Sequence, residues 1–110
     1  MKLPNWEYAI IESGKLTDYL LNINHHRGGA KAHLLIRCGY TPENWQQLES
    51  DIRQSHLSAD VDRVRETPYG RRYEIRAALP TPIGEPLMVR TVWQIDIGQE
   101  YPRLITIVPD

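Results

Sequence analysis

The segment LMVRTVWQIDI, residues 87–97, decides the fold because apolar and polar side chains alternate along most of it. An alternation with a period of two predicts a β-strand that buries one face. The same period predicts further strands at residues 61–66, 71–78 and 103–108. The connections between successive strands are short and contain proline or glycine, which favours an antiparallel meander.

The residues that precede the strands have helical periodicity instead. The pattern predicts helices over residues 13–21, 30–38 and 41–54. The apolar stripe of the first helix comprises Leu16, Tyr19, Leu20 and Ile23. Thr41 followed by Pro42 is an N-terminal signal for the third helix, and Gly39 is well placed to end the second. The pair Gly28–Gly29 predicts a turn at positive φ between the first two helices.

These elements predict a single α+β domain of 110 residues, with a helical half at 1–58 and a sheet at 59–110. Because a sheet must bury one face, we expect two to three N-terminal helices packed on one face of a four-stranded antiparallel meander. The covered face would carry Tyr73, Ile75, Ala77, Leu87, Val89, Thr91, Trp93, Ile95 and Ile97. The open face would carry Arg72, Arg76, Arg90 and Gln94 on neighbouring strands.

Charge and composition limit the classes of function. A net charge of −1, from 13 Lys and Arg against 14 Asp and Glu, argues against binding nucleic acid through bulk charge. Ten of the basic residues are arginine, however, and six of them lie between Arg63 and Arg90, which fits either a local basic surface or surface ion pairs. The chain has no apolar run of membrane-spanning length, an opening unlike a secretion signal and one cysteine. We therefore expect a cytoplasmic protein with no membrane contact.

The segment from His25 to Lys31 carries the clearest candidate chemistry. Adjacent histidines such as His25 and His26 seldom aim at one ion, and no cysteine or acid stands nearby at ligand spacing, so we expect no metal and no cofactor. An imidazole can pass protons near neutral pH, and a helix that begins after the glycines favours an anion. Together with Lys31, an arginine and the hydroxyl of Thr91 or Thr106, these groups suit metal-independent RNA cleavage. A solvated loop is the alternative interpretation.

Short motifs along nearly the whole chain resemble a bacterial domain family of unknown function. The motifs are, in order, Leu3–Asn5, Lys15–Leu16, Tyr19–Asn22, His25 with Gly28–Ala32, Gly39–Thr41, Tyr69–Gly70, Thr81–Gly84, Val89–Trp93 and Pro102–Thr106. That family occurs as the C-terminal toxin module of contact-dependent and other polymorphic toxins, in phage-associated proteins and as small stand-alone proteins. Helices followed by such a sheet also resemble the barnase, EndoU, colicin and RelE class of ribonuclease toxins.

The resemblance implies a toxin of a toxin–antitoxin or toxin–immunity pair that acts as an endoribonuclease. Its partners would be RNA and a small cognate antitoxin or immunity protein. It points to the catalytic residues His25, His26, Lys31, Arg90, Thr91 and Thr106. The residues that would bind the substrate are Arg72, Arg76, Gln94 and Arg103. The family often has proline at the position of His26, so either imidazole could act, and often a polar residue at the position of Ala30.

A non-catalytic binding domain is the alternative function. Such a domain would be a toxin-derived relic, the neutralising partner itself or a phage-associated structural module, and the net charge near zero fits it directly.

Among the candidate catalytic hydroxyls, Thr91 lies on the sheet face predicted to be covered, which conflicts with a catalytic role there. Thr106 therefore ranks no lower than Thr91 as a candidate.

Overall fold

A computed structural model describes residues 1–27 and 29–110 of the chain. Its helices precede its strands, which confirms the predicted α+β fold. Within the described residues, the longer elements are α1 (Gly29–Arg37), α2 (Trp45–Ser55), β1 (Arg63–Thr67), β2 (Gly70–Leu79), β3 (Leu87–Asp96) and β4 (Arg103–Pro109). The 3₁₀ turns are Trp6–Tyr8 and Pro42–Asn44, and a π-helix spans Lys15–Leu20. Gly28, half of the predicted glycine turn, lies outside the described residues.

The strands form the predicted antiparallel meander, in the order β1-β2-β3-β4. Strands β2 and β3 pair along their whole length, from Gly70 opposite Asp96 to Leu79 opposite Leu87. Gly70 makes this pairing possible at the turn end: its φ is +146°, and a Cβ atom there would lie 2.2 Å from the carbonyl oxygen of Ile95.

The sheet face predicted to be covered is buried. The side chains of Ile75, Val89 and Trp93 are 0% exposed and share one core cluster with Leu48 and Ile52 of α2. The core cluster also includes Leu16, Leu20, Leu35, Tyr73 and Ile107. For Ile97 the prediction is wrong, because β3 ends at Asp96 and Ile97 is 74% exposed.

The opposite sheet face carries the predicted arginines, but it is less open than expected. Arg72 donates to Oε1 of Gln94 from Nη2 at 2.7 Å and from Nε at 3.2 Å, and Gln94 is only 2% exposed. Arg90 likewise reaches the carboxylate of Glu74, which is 8% exposed. The long arginine side chains therefore lie over the sheet and cover its shorter polar residues.

The first predicted helix is wrong in type over Lys15–Leu20, where the structure has a π-helix. The N–H of Leu21 donates to the carbonyl of Leu16 at 2.8 Å, which is the i to i+5 bond of that helix. The wider turn buries Leu16, Leu20 and Leu21 but leaves Ile23, which was predicted on the apolar stripe, 45% exposed. No helix in residues 1–27 and 29–110 is both long and apolar enough to cross a membrane.

The other helix boundaries follow the predicted signals closely. The hydroxyl of Thr41 accepts the N–H of Asn44, and the Asn44 side chain accepts the N–H of Thr41, which makes a capping box. The chain then passes through the 3₁₀ turn into α2, so the predicted single helix is two joined elements. At the end of α1, Gly39 adopts a φ of +101°, as its predicted role as a stop requires.

A buried histidine joins the end of α2 to the sheet. Nε2 of His56 donates to the carbonyl of Ala77 at 2.9 Å, so Nδ1 is left to accept the hydroxyl of Thr91 at 2.9 Å. Nε1 of Trp93 donates to that hydroxyl at 2.9 Å. This chain of bonds uses a neutral imidazole, and burial lowers the pKa of His56 to about 4.

Candidate functional site

An open pocket of about 430 Å³ lies where the π-helix, the loop that follows it and β4 meet. Its lining residues are Lys15, Tyr19, His25, Arg27, Ile105 and Thr106. The side chain of Lys31, from the first turn of α1, bonds to two of them. None of these described lining residues is acidic, so the pocket is locally positive although the whole chain has a net charge of −1.

Lys31 connects the elements around the pocket. Its Nζ donates to Oγ1 of Thr106 at 3.0 Å and to the hydroxyl of Tyr19 at 3.3 Å, and the two hydroxyl oxygens lie 3.4 Å apart. Both acceptors are uncharged, so they do not neutralise the ammonium. A lysine in the first turn of a helix also opposes the helix dipole, an arrangement that a bound anion would relieve.

A close backbone contact holds the start of α1 beside the histidine loop. The N–H of Gly29 donates to the carbonyl of His25 at 2.8 Å, and a Cβ atom on Gly29 would lie 2.8 Å from the carbonyl oxygen of Ile23. Gly29 begins α1, and its lack of a side chain permits the close approach that brings the helix carrying Lys31 against His25. The predicted positive φ belongs to a turn that includes Gly28, which lies outside the described residues.

The hydroxyl of Tyr19 is more acidic than that of an ordinary tyrosine. The hydrogen bond with Thr106 does most to lower its pKa, burial opposes this, and the hydrogen bond and charge of Lys31 and the charge of Lys15 lower it further. The two ammonium groups also lie 5.5 Å and 5.6 Å from the centre of the Tyr19 ring, within the range of cation–π attraction. Tyr19 is consequently suited to exchanging a proton with a bound molecule.

Of the two predicted imidazoles, His25 is the one that lines the pocket. Its ring lies edge-on to that of Tyr19, with centroids 4.9 Å apart and planes at 74°. Nδ1 of His25 accepts the backbone N–H of Arg27 at 3.1 Å, a bond that belongs to the neutral ring. His26 is exposed and stacks on His25, with centroids 5.1 Å apart and planes at 9°.

A β-bulge in β4 directs Thr106 toward this site. Leu104 pairs with Trp93 and Thr106 pairs with Val92, so Ile105 is the extra residue between them. In a regular strand, Leu104 and Thr106 would share one face. The bulge keeps Leu104 in the core and places Thr106 on the opposite face of the sheet, in reach of Lys31 and Tyr19.

Besides His26, two further predicted catalytic residues lie outside the pocket. Thr91 is 0% exposed in the core, and its hydroxyl is engaged by His56 and Trp93. Arg90 shares a sheet face with Thr106, but its Nη1 donates to Asp62 at 2.6 Å and to Glu74 at 3.4 Å, on the side of β2 and β1. The bond with Asp62 raises the pKa of Arg90, and it lowers that of the Asp62 carboxyl.

The predicted substrate-binding residues also have partners within the chain. Arg72 bonds to Gln94, Arg76 pairs with Asp110, and Nε of Arg103 lies 2.7 Å from Oδ2 of Asp96. The solvent-accessible ion pairs of Arg76 and Arg103 contribute less than about 1 kcal/mol each, so they are readily exchanged for other partners. Even so, the sheet face presents paired charges, whereas Lys31 in the pocket presents an ammonium bonded to neutral hydroxyls.

Sequence reasoning missed Lys15, Tyr19 and Arg27 as pocket residues. It assigned Tyr19 to an apolar stripe, because an aromatic residue at helical spacing from leucines is usually part of a core. The spacing of Lys15 and Tyr19 could have indicated the role of Tyr19. Residues four apart share a helix face, so this spacing predicts a lysine ammonium beside the tyrosine. Arg27 was between His25 and Lys31 in the segment already singled out.

The pocket presents amine, guanidinium, hydroxyl and imidazole groups. Within the described part of the chain, no group of three or more His, Cys, Asp and Glu residues is placed to hold a metal ion. The ammonium and guanidinium groups beside the single imidazole would repel a divalent ion. The donor set is instead typical of sites that bind an oxyanion such as a phosphate.

Comparison with known proteins gives the family of the chain. No curated protein and no solved structure matches it. A family model matches residues 2–110, which is nearly the whole chain. The chain therefore belongs to the family described as Domain of unknown function (DUF6883).

Proposed function

We propose that this domain is an endoribonuclease that cuts RNA without a metal ion at the pocket around Lys31. The observation that carries the proposal is the contact of Lys31 with both Tyr19 and Thr106, in a pocket that His25 also lines. A cation, a tyrosine of lowered pKa and an imidazole are the groups that phosphodiester cleavage through the 2′-hydroxyl needs.

In the proposed reaction, Tyr19 is the base. Its phenolate removes the proton of the ribose 2′-hydroxyl, the 2′ oxygen forms a bond to phosphorus, and the bond from phosphorus to the 5′ oxygen breaks. The products are a 2′,3′-cyclic phosphate and a 5′-hydroxyl. The lowered pKa of Tyr19 supports this role, because it raises the phenolate fraction at neutral pH.

His25 is the acid of the same reaction. The ring takes up a proton, gives up the bond that Nδ1 accepts from Arg27, and donates a proton to the leaving 5′ oxygen. Lys31, Lys15 and Arg27 stabilise the charge that develops on the phosphorane, and Thr106 positions it. We assign this work to these cations rather than to Arg90, whose guanidinium is engaged by Asp62 and Glu74.

The biological setting we propose is that of a toxin acting on RNA in the cytoplasm and restrained by a small antitoxin or immunity protein. The resemblance to polymorphic toxin modules supports it. An acidic partner would be expected, because the pocket is locally positive.

Expression in bacteria tests this function. Wild-type protein is expected to arrest growth and to fragment RNA, whereas the His25→Ala/His26→Ala/Lys31→Ala variant should do neither, because it loses the acid and the central cation. The readouts are growth after induction and sequencing of the RNA 5′ ends.

A matched control uses two exposed residues of α1. The His33→Ala/Arg37→Ala variant removes an imidazole and a cation outside the pocket and should arrest growth like the wild type. Equal growth of wild type and triple variant, with intact RNA in both, would reject the ribonuclease and favour a non-catalytic binding domain.

A further inference from the structure

An exposed pair of tyrosines lies at the start of β4. Tyr8 is 64% exposed and Tyr101 is 45% exposed, and their ring centroids are 5.5 Å apart with planes at 38°. Ile10 and Ile97, also exposed, lie beside them. A cavity of about 330 Å³ opens here, lined by Ile10, Asp96, Ile97, Gln99, Tyr101 and Arg103. Large apolar side chains grouped on a surface in this way commonly mark a binding site.

The backbone around this tyrosine pair is held by regular hydrogen bonds. The N–H of Ile10 donates to the carbonyl of Pro102 at 2.8 Å, and the N–H of Leu104 donates to the carbonyl of Ile10 at 3.0 Å. These bonds form a parallel bridge between Ile10 and Arg103. Tyr8 and Tyr101 each lie two residues before a bridge partner, so the register sets their rings side by side.

This cavity and the Lys31 pocket are neighbours on one edge strand. Arg103 pairs with Gln94 and Thr106 pairs with Val92, so both face the side of the sheet opposite Trp93. Because Ile105 is bulged and the partners Gln94 and Val92 are two residues apart on β3, Arg103 and Thr106 lie on the order of 7 Å apart at about 3.3 Å per residue. A chain molecule whose phosphate is held at Lys31 would thus extend past Arg103 to the tyrosines.

We propose that the cavity lined by Tyr101, together with the ring of Tyr8 that packs beside it, is a stacking subsite for an unpaired base of single-stranded RNA. This inference rests on the proposed function of the Lys31 pocket, which would hold a nearby phosphate of the same strand. Aromatic rings bind bases by stacking whatever the base, and the amide of Gln99 offers a donor and an acceptor to a base edge. Because bases within a duplex are already stacked on each other, the subsite selects single strands.

The charges around the cavity favour an uncharged base over a phosphate as the group held there, because Glu7 and Glu100 are exposed next to Tyr8 and Tyr101. The carboxylate of Asp96 accepts from Arg103 at 2.7 Å and from Gln94 at 2.6 Å, so its charge is compensated on the side of the cavity. Beyond Arg103, the cations Lys15, Arg27 and Lys31 follow in the direction of the pocket. A second copy of the chain is the competing occupant, since exposed tyrosines also occur at protein interfaces.

The test is the affinity for a fluorescein-labelled single-stranded DNA decamer, measured by fluorescence anisotropy. The decamer lacks the 2′-hydroxyl and is not cut, so binding is measured apart from cleavage. Tyr101→Ala and Tyr8→Ala are each expected to weaken binding about tenfold, and Tyr101→Trp to restore it, because stacking carries the contact. Tyr69→Ala, which removes a tyrosine that is 72% exposed on the turn before β2, should bind like the wild type. Thermal unfolding of each variant verifies that it is folded.

Each result is decisive for the subsite. A decamer affinity that does not change on removal of Tyr8 and Tyr101 overturns it, as does a wild type that prefers the matching duplex. A wild-type dimer in sedimentation that becomes monomeric in Tyr101→Ala also overturns it and assigns the patch to self-association.

If the decamer binds through the tyrosines but no RNA is cut, the subsite stands and the proposed ribonuclease fails. If RNA is cut but removal of the tyrosines does not affect binding, the proposed ribonuclease stands and the subsite fails.

Discussion

Replacing Lys31 with methionine is expected to slow RNA cleavage by on the order of 100-fold or more. Methionine keeps the length of the side chain but removes the ammonium that donates to Thr106 and Tyr19. The phosphorane then loses its central cation, and the pKa of Tyr19 returns toward its ordinary value because one of the groups that lower it is gone. The measurement is the single-turnover cleavage rate of a fluorescent RNA oligonucleotide by purified protein in EDTA.

Two companion variants separate the role of this charge from its contribution to the fold. Lys31→Arg retains a cation and should keep a measurable part of the rate. Lys2→Met removes a lysine that bonds to the carbonyl of Ser58, away from the pocket, and should cut at the wild-type rate. A folded Lys31→Met protein that cleaves as fast as the wild type would show that the Lys31 pocket is not the site of the chemistry.

The free energy of unfolding is expected to fall by on the order of 3 kcal/mol between pH 7 and pH 4 because of His56. Burial lowers the pKa of this imidazole from its ordinary value of 6.5 to about 4 in the folded protein. Below pH 6.5 the unfolded chain therefore binds a proton that the folded chain does not, and stability is lost as the pH falls toward 4. Urea unfolding followed by tryptophan fluorescence, repeated across this range, measures the effect.

The matched comparison uses two histidines in different surroundings. His56→Gln removes the buried titrating group, so its stability should depend much less on pH between 4 and 6.5, although it is lower at pH 7. His33→Gln changes an exposed residue of α1 and should retain the wild-type dependence. An identical slope in His56→Gln and wild type would contradict the role of His56.

The sheet was predictable because its information is local. Alternating side chains in residues 87–97 and proline or glycine at each turn determine both the strands and their order. Which residues of β4 face the core, and which face the pocket, was not predictable. Leu104, Ile105, Ile107 and Val108 are all apolar, so nothing in the sequence marks Ile105 as the bulged residue that directs Thr106 to the pocket. A bulge is decided by pairing with β3, which is a tertiary property.

The candidate site was predicted in part. His25, Lys31 and Thr106 do lie together, although 75 residues separate Lys31 from Thr106. Tyr19 was assigned to an apolar stripe with Leu16 and Leu20, and its side chain does pack against the core, but its role in the pocket was not predicted. The π-helix changes which side chains of this segment share a face, and propensity cannot reveal a turn that depends on packing.

The arginines of the sheet fitted either a basic surface or ion pairs in the sequence, and the sequence could not decide between the two. In the structure, register and the chain ends place Asp62, Glu74, Asp96 and Asp110 to pair with Arg76, Arg90 and Arg103. Cross-strand pairing of charges depends on which residues lie opposite each other, and a sequence alone does not set that register. His56 was unremarkable for the same reason: only the docking of α2 on the sheet buries it against Thr91.

The chemical identity of the ends that purified wild-type protein leaves on RNA in EDTA is the most direct test of the central claim. Cleavage by Tyr19, His25 and Lys31 predicts fragments with a 2′,3′-cyclic phosphate and a 5′-hydroxyl, detected by mass spectrometry. RNA that stays intact, or that carries 3′-hydroxyl and 5′-phosphate ends, would contradict it.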